Sequence, residues 1–158
     1  MADLTITEEY DGNSWATNGS LGTASSGLAG CGTQAAGFAA GGTEFKATTE
    51  EYNGSSWSAG GNMSAAKLDF EMVGLQTAAL NFGGRTNGLV ATTETYDGSS
   101  WSTEGSALAA VRETHCGAGT STVALAWGGK TAGSHPDNYL QTSEEWGLAL
   151  AARTITNS

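Results

Sequence analysis

One aromatic octet written three times constrains this chain more than any other feature. Glu8-Glu9-Tyr10-Asp11-Gly12-Asn13-Ser14-Trp15 returns as Glu50-Glu51-Tyr52-Asn53-Gly54-Ser55-Ser56-Trp57 and again as Glu94-Thr95-Tyr96-Asp97-Gly98-Ser99-Ser100-Trp101, with a degenerate fourth copy at Glu144-Glu145-Trp146. A second marker keeps the same register: Gly41-Gly42, Gly83-Gly84 and Gly128-Gly129, each closing a short apolar stretch. A period of roughly 43 residues is the mark of stacked supersecondary units, each unable to bury its apolar face alone. This matters because Leu, Ile, Val and Phe together fill only 22 of 158 positions and the net charge is -10, a composition that alone points to disorder. A disordered chain has no physical reason to place Tyr, Trp and Gly-Gly periodically, so the repeat overrides that reading.

Within one unit the pattern is β throughout. Glu71-Met72-Val73-Gly74-Leu75 and Ala78-Ala79-Leu80-Asn81-Phe82 flank Gln76-Thr77 as one hairpin, and Ala47 to Tyr52 is rich in β-branched and aromatic residues. Asn53-Gly54 reads as a two-residue hairpin turn, with the returning strand resuming at Ser55. Four short strands, a to d, thus fill each unit, with unit boundaries near 4–21, 22–64, 65–108 and 109–158. The first unit has only c and d. The last has a, b and c, because Gly147 to Thr156 resembles the lead into another strand a, as in Ala107 to Thr114. About three and a half four-stranded units leave sheet edges that need cover. Either the ends close a ring within one chain or half-units of neighbouring chains complete each other; the short terminal segments favour the second.

The double glycine, the Glu-containing strand ending in Tyr-Asp or Tyr-Asn, and the Trp about five residues on resemble the kelch motif of β-propellers over almost the whole chain. The resemblance implies an all-β fold of kelch-like β-propeller blades, and it is silent on function, since such blades serve adaptors, oxidases and adhesive proteins. The Ala/Gly/Thr-rich strands, the Thr-Glu-Glu-Tyr-Asp-Gly-Asn-Ser-Trp unit and the terminal Ile-Thr-Asn-Ser are similar to repeat proteins of marine bacteriophage virions, of tail fibre or capsid decoration type. That likeness implies a virion location.

Tyr10, Tyr52, Tyr96, Trp15, Trp57 and Trp101, with Trp146 in the degenerate copy, invite a sugar-stacking reading. An aromatic at one position of every unit is better explained as filling the gap between units, so these residues are assigned to the core. Lys67, Arg112 and Arg153 precede strand a, the place where kelch blades carry an arginine near a strand-c glutamate, which makes Glu51, Glu94 or Glu145 their expected partners. The Asp11, Asn53 and Asp97 turns each offer at most one acid and read as hairpins, not calcium loops. His115 and Cys116 are neighbours on a strand and point to opposite faces, so they form no nucleophile and base pair. Cys31 and Cys116 read as small buried thiols.

Six basic residues against sixteen acidic ones set a field that repels a phosphate backbone, so nucleic acid is not an expected partner. No apolar run approaches a membrane span and no signal peptide is expected. Two histidines are too few for the copper site of kelch-type oxidases; no metal, cofactor or catalytic residue is assigned, and the protein is not expected to be an enzyme. Binding is expected on the b–c loops, which lengthen from Thr43–Ala47 to Arg85–Ala91 to Lys130–Gln141 while the c–d turns stay nearly identical. Arg85, Asn87, His135, Asp137, Asn138 and Tyr139 are the candidates. Taken together these features imply a non-enzymatic structural or adhesive module of a phage particle, a homo-oligomer whose partners are copies of itself, other virion proteins or a host surface glycan. The alternative is a carbohydrate-binding, lectin-like propeller.

Overall fold

The computed structural model describes residues 3–132, 138–147 and 150–155. Among these, fourteen strands and no helix are present: β1 (Leu4–Tyr10), β2 (Trp15–Ser25), β3 (Ala29–Thr33), β4 (Ala36–Ala40), β5 (Thr49–Tyr52), β6 (Trp57–Ala59), β7 (Glu71–Leu75), β8 (Ala78–Phe82), β9 (Thr93–Tyr96), β10 (Trp101–Thr103), β11 (Cys116–Gly119), β12 (Val123–Trp127), β13 (Ser143–Gly147) and β14 (Leu150–Ile155). No helix there is long and apolar enough to cross a membrane. The strands form one two-stranded sheet, β1-β2, and three four-stranded sheets in simple up-and-down order, β3 to β6, β7 to β10 and β11 to β14. Every pairing is antiparallel, so each sheet can be built from tight local turns.

Two local devices repeat. The turn between the third and fourth strand spans four residues, where a two-residue Asn-Gly turn was expected. Asp11 Oδ1 accepts the N–H groups of Asn13 and Ser14, Asn53 Oδ1 those of Ser55 and Ser56, and Asp97 Oδ1 those of Ser99 and Ser100. The side chain thereby substitutes for the backbone acceptor, and the returning strand starts only at the tryptophan. The double glycines lie where the chain leaves the second strand. Gly83 and Gly84 have φ of 66° and 89°, and a Cβ on Gly84 would stand 2.5 Å from the Phe70 Cβ. Only glycine fits both the left-handed backbone and the contact.

The sheets stack in chain order, β3 against β7 and β7 against β11, with β2 against β6. Between the second and third sheets lie Phe38, Ala40, Met63, Phe70, Met72, Ala79, Tyr96 and Trp101. Phe38 stacks on Tyr96 at 4.7 Å and on Trp101 at 5.8 Å between ring centroids. The next gap is filled by Val73, Leu80, Phe82, Ala124 and Ala126, with Leu108 and Trp146 packed on them. Alanines on the strands let the sheets approach, and a few rings fill what remains.

The core assignment of the repeated aromatics meets buried side chains at Tyr52, Tyr96 and Trp101 and partly buried ones at Trp57 and Trp146. It fails for Tyr10 and Trp15, which are 46 % and 67 % exposed. They stack on each other at 5.2 Å, on a sheet whose strand β2 packs against β6 of the neighbouring sheet. A second correction concerns the last unit, which was expected to lack its fourth strand. Leu150–Ile155 instead pairs with β13, placing Glu144 opposite Thr154 and Glu145 opposite Arg153. That pairing satisfies the backbone edge β13 would otherwise leave open.

Trp101 is the test of this packing. Trp101→Ala removes a buried ring that also stacks on Phe38 and Tyr96, and is expected to cost about 3–5 kcal/mol in a denaturant titration.

Candidate functional site

Two sets of polar groups stand out, one buried between strands and one at the rim formed by the b–c loops. The buried set begins with a carboxylate on the third strand of each four-stranded sheet. Glu50 accepts the Gly22 and Thr23 N–H groups at 2.6 and 3.0 Å, Glu94 accepts Ser64 N–H at 2.9 Å, and Glu144 accepts Ala109 N–H. Glu94 and Glu144 thereby tie down the segments that lead into the first strands of their own sheets, and the half-buried Glu50 ties the end of β2 to the sheet that follows it. In the two later sheets a cation joins the glutamate: Lys67 Nζ lies 3.1 Å from Glu94, and Arg112 is paired with Glu144, all four side chains being buried. Asn81 bridges the first pair, accepting from Lys67 at 2.9 Å and donating to Glu94 at 3.0 Å.

Of the expected partners, Glu94 is the one the structure confirms. Arg112 takes Glu144, not Glu145, and Glu51 faces the neighbouring sheet, where it accepts the Tyr96 hydroxyl at 2.6 Å. Adjacent residues of a strand point to opposite faces, so in each Glu-Glu pair only one member can reach the lead segment. Burial works against the Glu94 carboxylate, yet the Lys67 charge and the bonds from Asn81 and Ser64 outweigh it and hold its pKa below the ordinary value. Each of these pairs is enclosed by the protein, and in the second the Arg112 Nε is buried with no hydrogen-bond partner among the described residues.

At the rim, the residue after each double glycine bridges back to the lead segment, Arg85 to Leu68 and Lys130 to Glu113. Glu113 is buried and sits between Arg85 Nε at 3.4 Å and Lys130 Nζ at 3.2 Å, so a single carboxylate holds two partly exposed cations side by side. Lys130 also bridges Tyr139, whose ring is exposed, and Asn138 closes the loop through its carbonyl, which accepts Thr131 N–H at 2.8 Å. Asn87 is exposed on the same loop as Arg85. His135 and Asp137 lie outside the described residues. The structure thus brings Arg85 and the Lys130–Tyr139 bridge to Glu113, a residue the sequence reading did not single out. Its position beside Arg112, just before a first strand, was the available signal.

His115 is buried and neutral: burial first, and then the Arg112 charge, push its pKa down to about 4. It repeats the position of Phe70, and its ring lies 5.5 Å from Phe82. Cys116 beside it is exposed and Cys31 is half-buried, so only Cys31 approaches the expected buried thiol; burial raises its pKa to about 12. Both are free. No group of three or more His, Cys, Asp or Glu among the described residues is placed to hold a metal ion.

No protein-family model matches the chain, and no curated protein matches it significantly.

Two outcomes follow from the buried groups. Lys67→Met strands the Glu94 carboxylate in the core, and a loss of about 3–5 kcal/mol is expected in equilibrium unfolding. For His115 the folded pKa lies below the unfolded one, so the unfolded chain takes up the proton first. Its contribution is complete above about pH 6.5 and is lost as the pH falls toward about 4, a span worth about 3 kcal/mol. His115→Phe, which restores the residue of the preceding unit, should flatten stability across that window in melts taken at stepped pH.

Proposed function

We propose that this chain is a non-enzymatic structural and adhesive module of a virus particle, of phage type, whose sheets are kelch-like propeller blades and whose work is assembly and surface binding. The observation that carries the reading is where the repeated polar groups are spent. Tyr52 and Tyr96 hydroxyls donate to Glu9 and Glu51, and Trp57 and Trp101 Nε1 donate to Thr7 and Thr49, each across the gap between consecutive sheets. Glu94 and Glu144 are consumed within their own sheets. A chain that commits its recurrent acids, bases and rings to joining sheets is built to hold shape. The sequence likeness to virion repeat proteins supports the location.

One observation favours the carbohydrate-binding alternative. The exposed Tyr139, bridged through its backbone to Lys130, offers a stacking face, and the Arg85 and Lys130 cations held by Glu113 offer N–H donors to a hydroxylated or acidic sugar.

Antibody raised against the chain and applied to purified particles tests the first reading: gold label on the particle surface is expected, and label absent from intact and disrupted particles would refute it. A glycan array tests the second. Binding that falls at least about tenfold in both Tyr139→Ala and Arg85→Ala would favour the lectin.

A further inference from the structure

The first two interfaces between consecutive sheets obey one rule of register. One strand of the preceding sheet, β1 or β5, supplies a hydroxyl and, two residues later, an acid; the following sheet supplies a tryptophan Nε1 for the first and a tyrosine hydroxyl for the second. Thr7 and Glu9 meet Trp57 and Tyr52 at 2.8 and 2.6 Å, and Thr49 and Glu51 meet Trp101 and Tyr96 at 3.1 and 2.6 Å. The second strand of the preceding sheet adds an apolar platform, Phe38 under Tyr96 and Trp101.

Both ends of the stack carry half of this interface. At the front, Tyr10 and Trp15 occupy the positions of Tyr52 and Trp57 and stand exposed, and a groove of about 300 Å³ runs between them and Tyr52 and Trp57. At the back, Ser143 and Glu145 occupy the positions of Thr49 and Glu51, and Leu125 that of Phe38. Phe38 and its equivalent Leu80 are 1 % and 0 % exposed, whereas Leu125 is 36 % exposed and its neighbours on the same face, Val123 and Trp127, are exposed too. A Cβ on Gly128 would meet nothing, although one on Gly41 would strike Phe70 and one on Gly83 would strike His115 of the following sheet.

The third internal interface shows that acid and phenol change together. There the acid is replaced by Thr95 and the tyrosine by Trp146, so neither is left without its counterpart. Glu145 repeats the register position of Glu51, and Tyr10 repeats that of Tyr52.

We infer that copies of this chain bind head to tail, Tyr10 and Trp15 of one copy seating on Leu125, Ser143 and Glu145 of a second. The contact continues the interface already repeated inside the chain, with phenol and indole donors on one face and acid and hydroxyl acceptors on the other. A second copy is the occupant because the two faces lie exposed at the opposite ends of sheets stacked in chain order, and a surface of this kind is heterologous, giving a ring when the rotation closes. Two copies would contribute twice the four sheets of one chain, within the about four to eight blades at which propellers close. The inference rests on the assembly reading proposed above and names the partner.

Light scattering of the full chain at micromolar concentration should give a mass above the 16.0 kDa of one chain. Trp15→Ala and Leu125→Arg should each weaken association at least about tenfold, with unchanged far-ultraviolet circular dichroism and melting of the isolated chain. Tyr10→Phe, which keeps the ring, should weaken it less. Mixing the Trp15 and Leu125 variants should restore a two-chain complex through the one intact pair of faces, which only a heterologous contact allows. In a background of Cys31→Ser and Cys116→Ser, a Tyr10→Cys chain mixed with a Glu145→Cys chain should be joined by a short thiol cross-linker. A single-chain mass at every concentration, cross-linking only within a chain carrying both cysteines, or association indifferent to both face variants would each overturn the inference. Absence of the chain from particles would sink the virion reading while leaving these results standing.

Discussion

The structure depends on giving the polar tips of buried rings something to bond. In a chain this short of large aliphatic side chains, Tyr and Trp join Phe, Met and Ala in filling the space between sheets, and each brings an O–H or N–H that is costly to bury unpaired. The preceding sheet meets that demand in the first two interfaces by offering a threonine and a glutamate two residues apart on one face of β1 or β5. The two bonds fix the distance and the register between sheets at once. They also perturb the groups that make them: the bond to Glu9 raises the Tyr52 pKa to about 12 and lowers that of Glu9, while burial and then the bond to Glu51 raise Tyr96 to about 12.

Much of this was legible in the sequence because the markers are periodic. The octets marked where third strands end and the double glycines where second strands end, while fourth strands start at the tryptophan, two residues later than the turn reading placed them. The strands β7 (Glu71–Leu75) and β8 (Ala78–Phe82) coincide with the residues read as a hairpin. What stayed hidden was whatever depends on a neighbour. Tyr10 and Trp15 are written in the same words as Tyr96 and Trp101, yet one pair is exposed and the other buried, since burial belongs to the sheet that covers a residue and not to the residue. Glu50 and Glu51 could not be told apart until the face of β5 was known. The fourth strand of the last sheet was concealed by its likeness to a lead segment, a likeness that local pattern alone could not break.

The rim was legible in part, for a related reason. Irregular loop lengths pointed to Arg85, Asn87 and the Lys130–Gln141 segment, but Glu113 gave no irregularity to notice. It binds Arg85 and Lys130 from adjacent sheets, and only stacking brings those two loops to one acid. Long-range electrostatic pairs of this kind have no sequence spacing of their own.

Departures from the repeat are informative where they occur in matched sets. Thr95 and Trp146 change together, which removes an acid and its phenol from one interface without leaving either buried alone. Thr93 shows the opposite case. It holds the place of Thr7 and Thr49, whose hydroxyls accept tryptophan N–H groups, but β14 carries no tryptophan, and the buried Thr93 Oγ1 has no hydrogen-bond partner among the described residues. The last sheet therefore packs Trp146 against the apolar cluster that holds Leu80 and Phe82, with both bonds of the pattern missing. A single hydroxyl can be left this way at modest cost, whereas a carboxylate cannot. That asymmetry explains why the interface that lost its tyrosine lost its glutamate and kept its threonine.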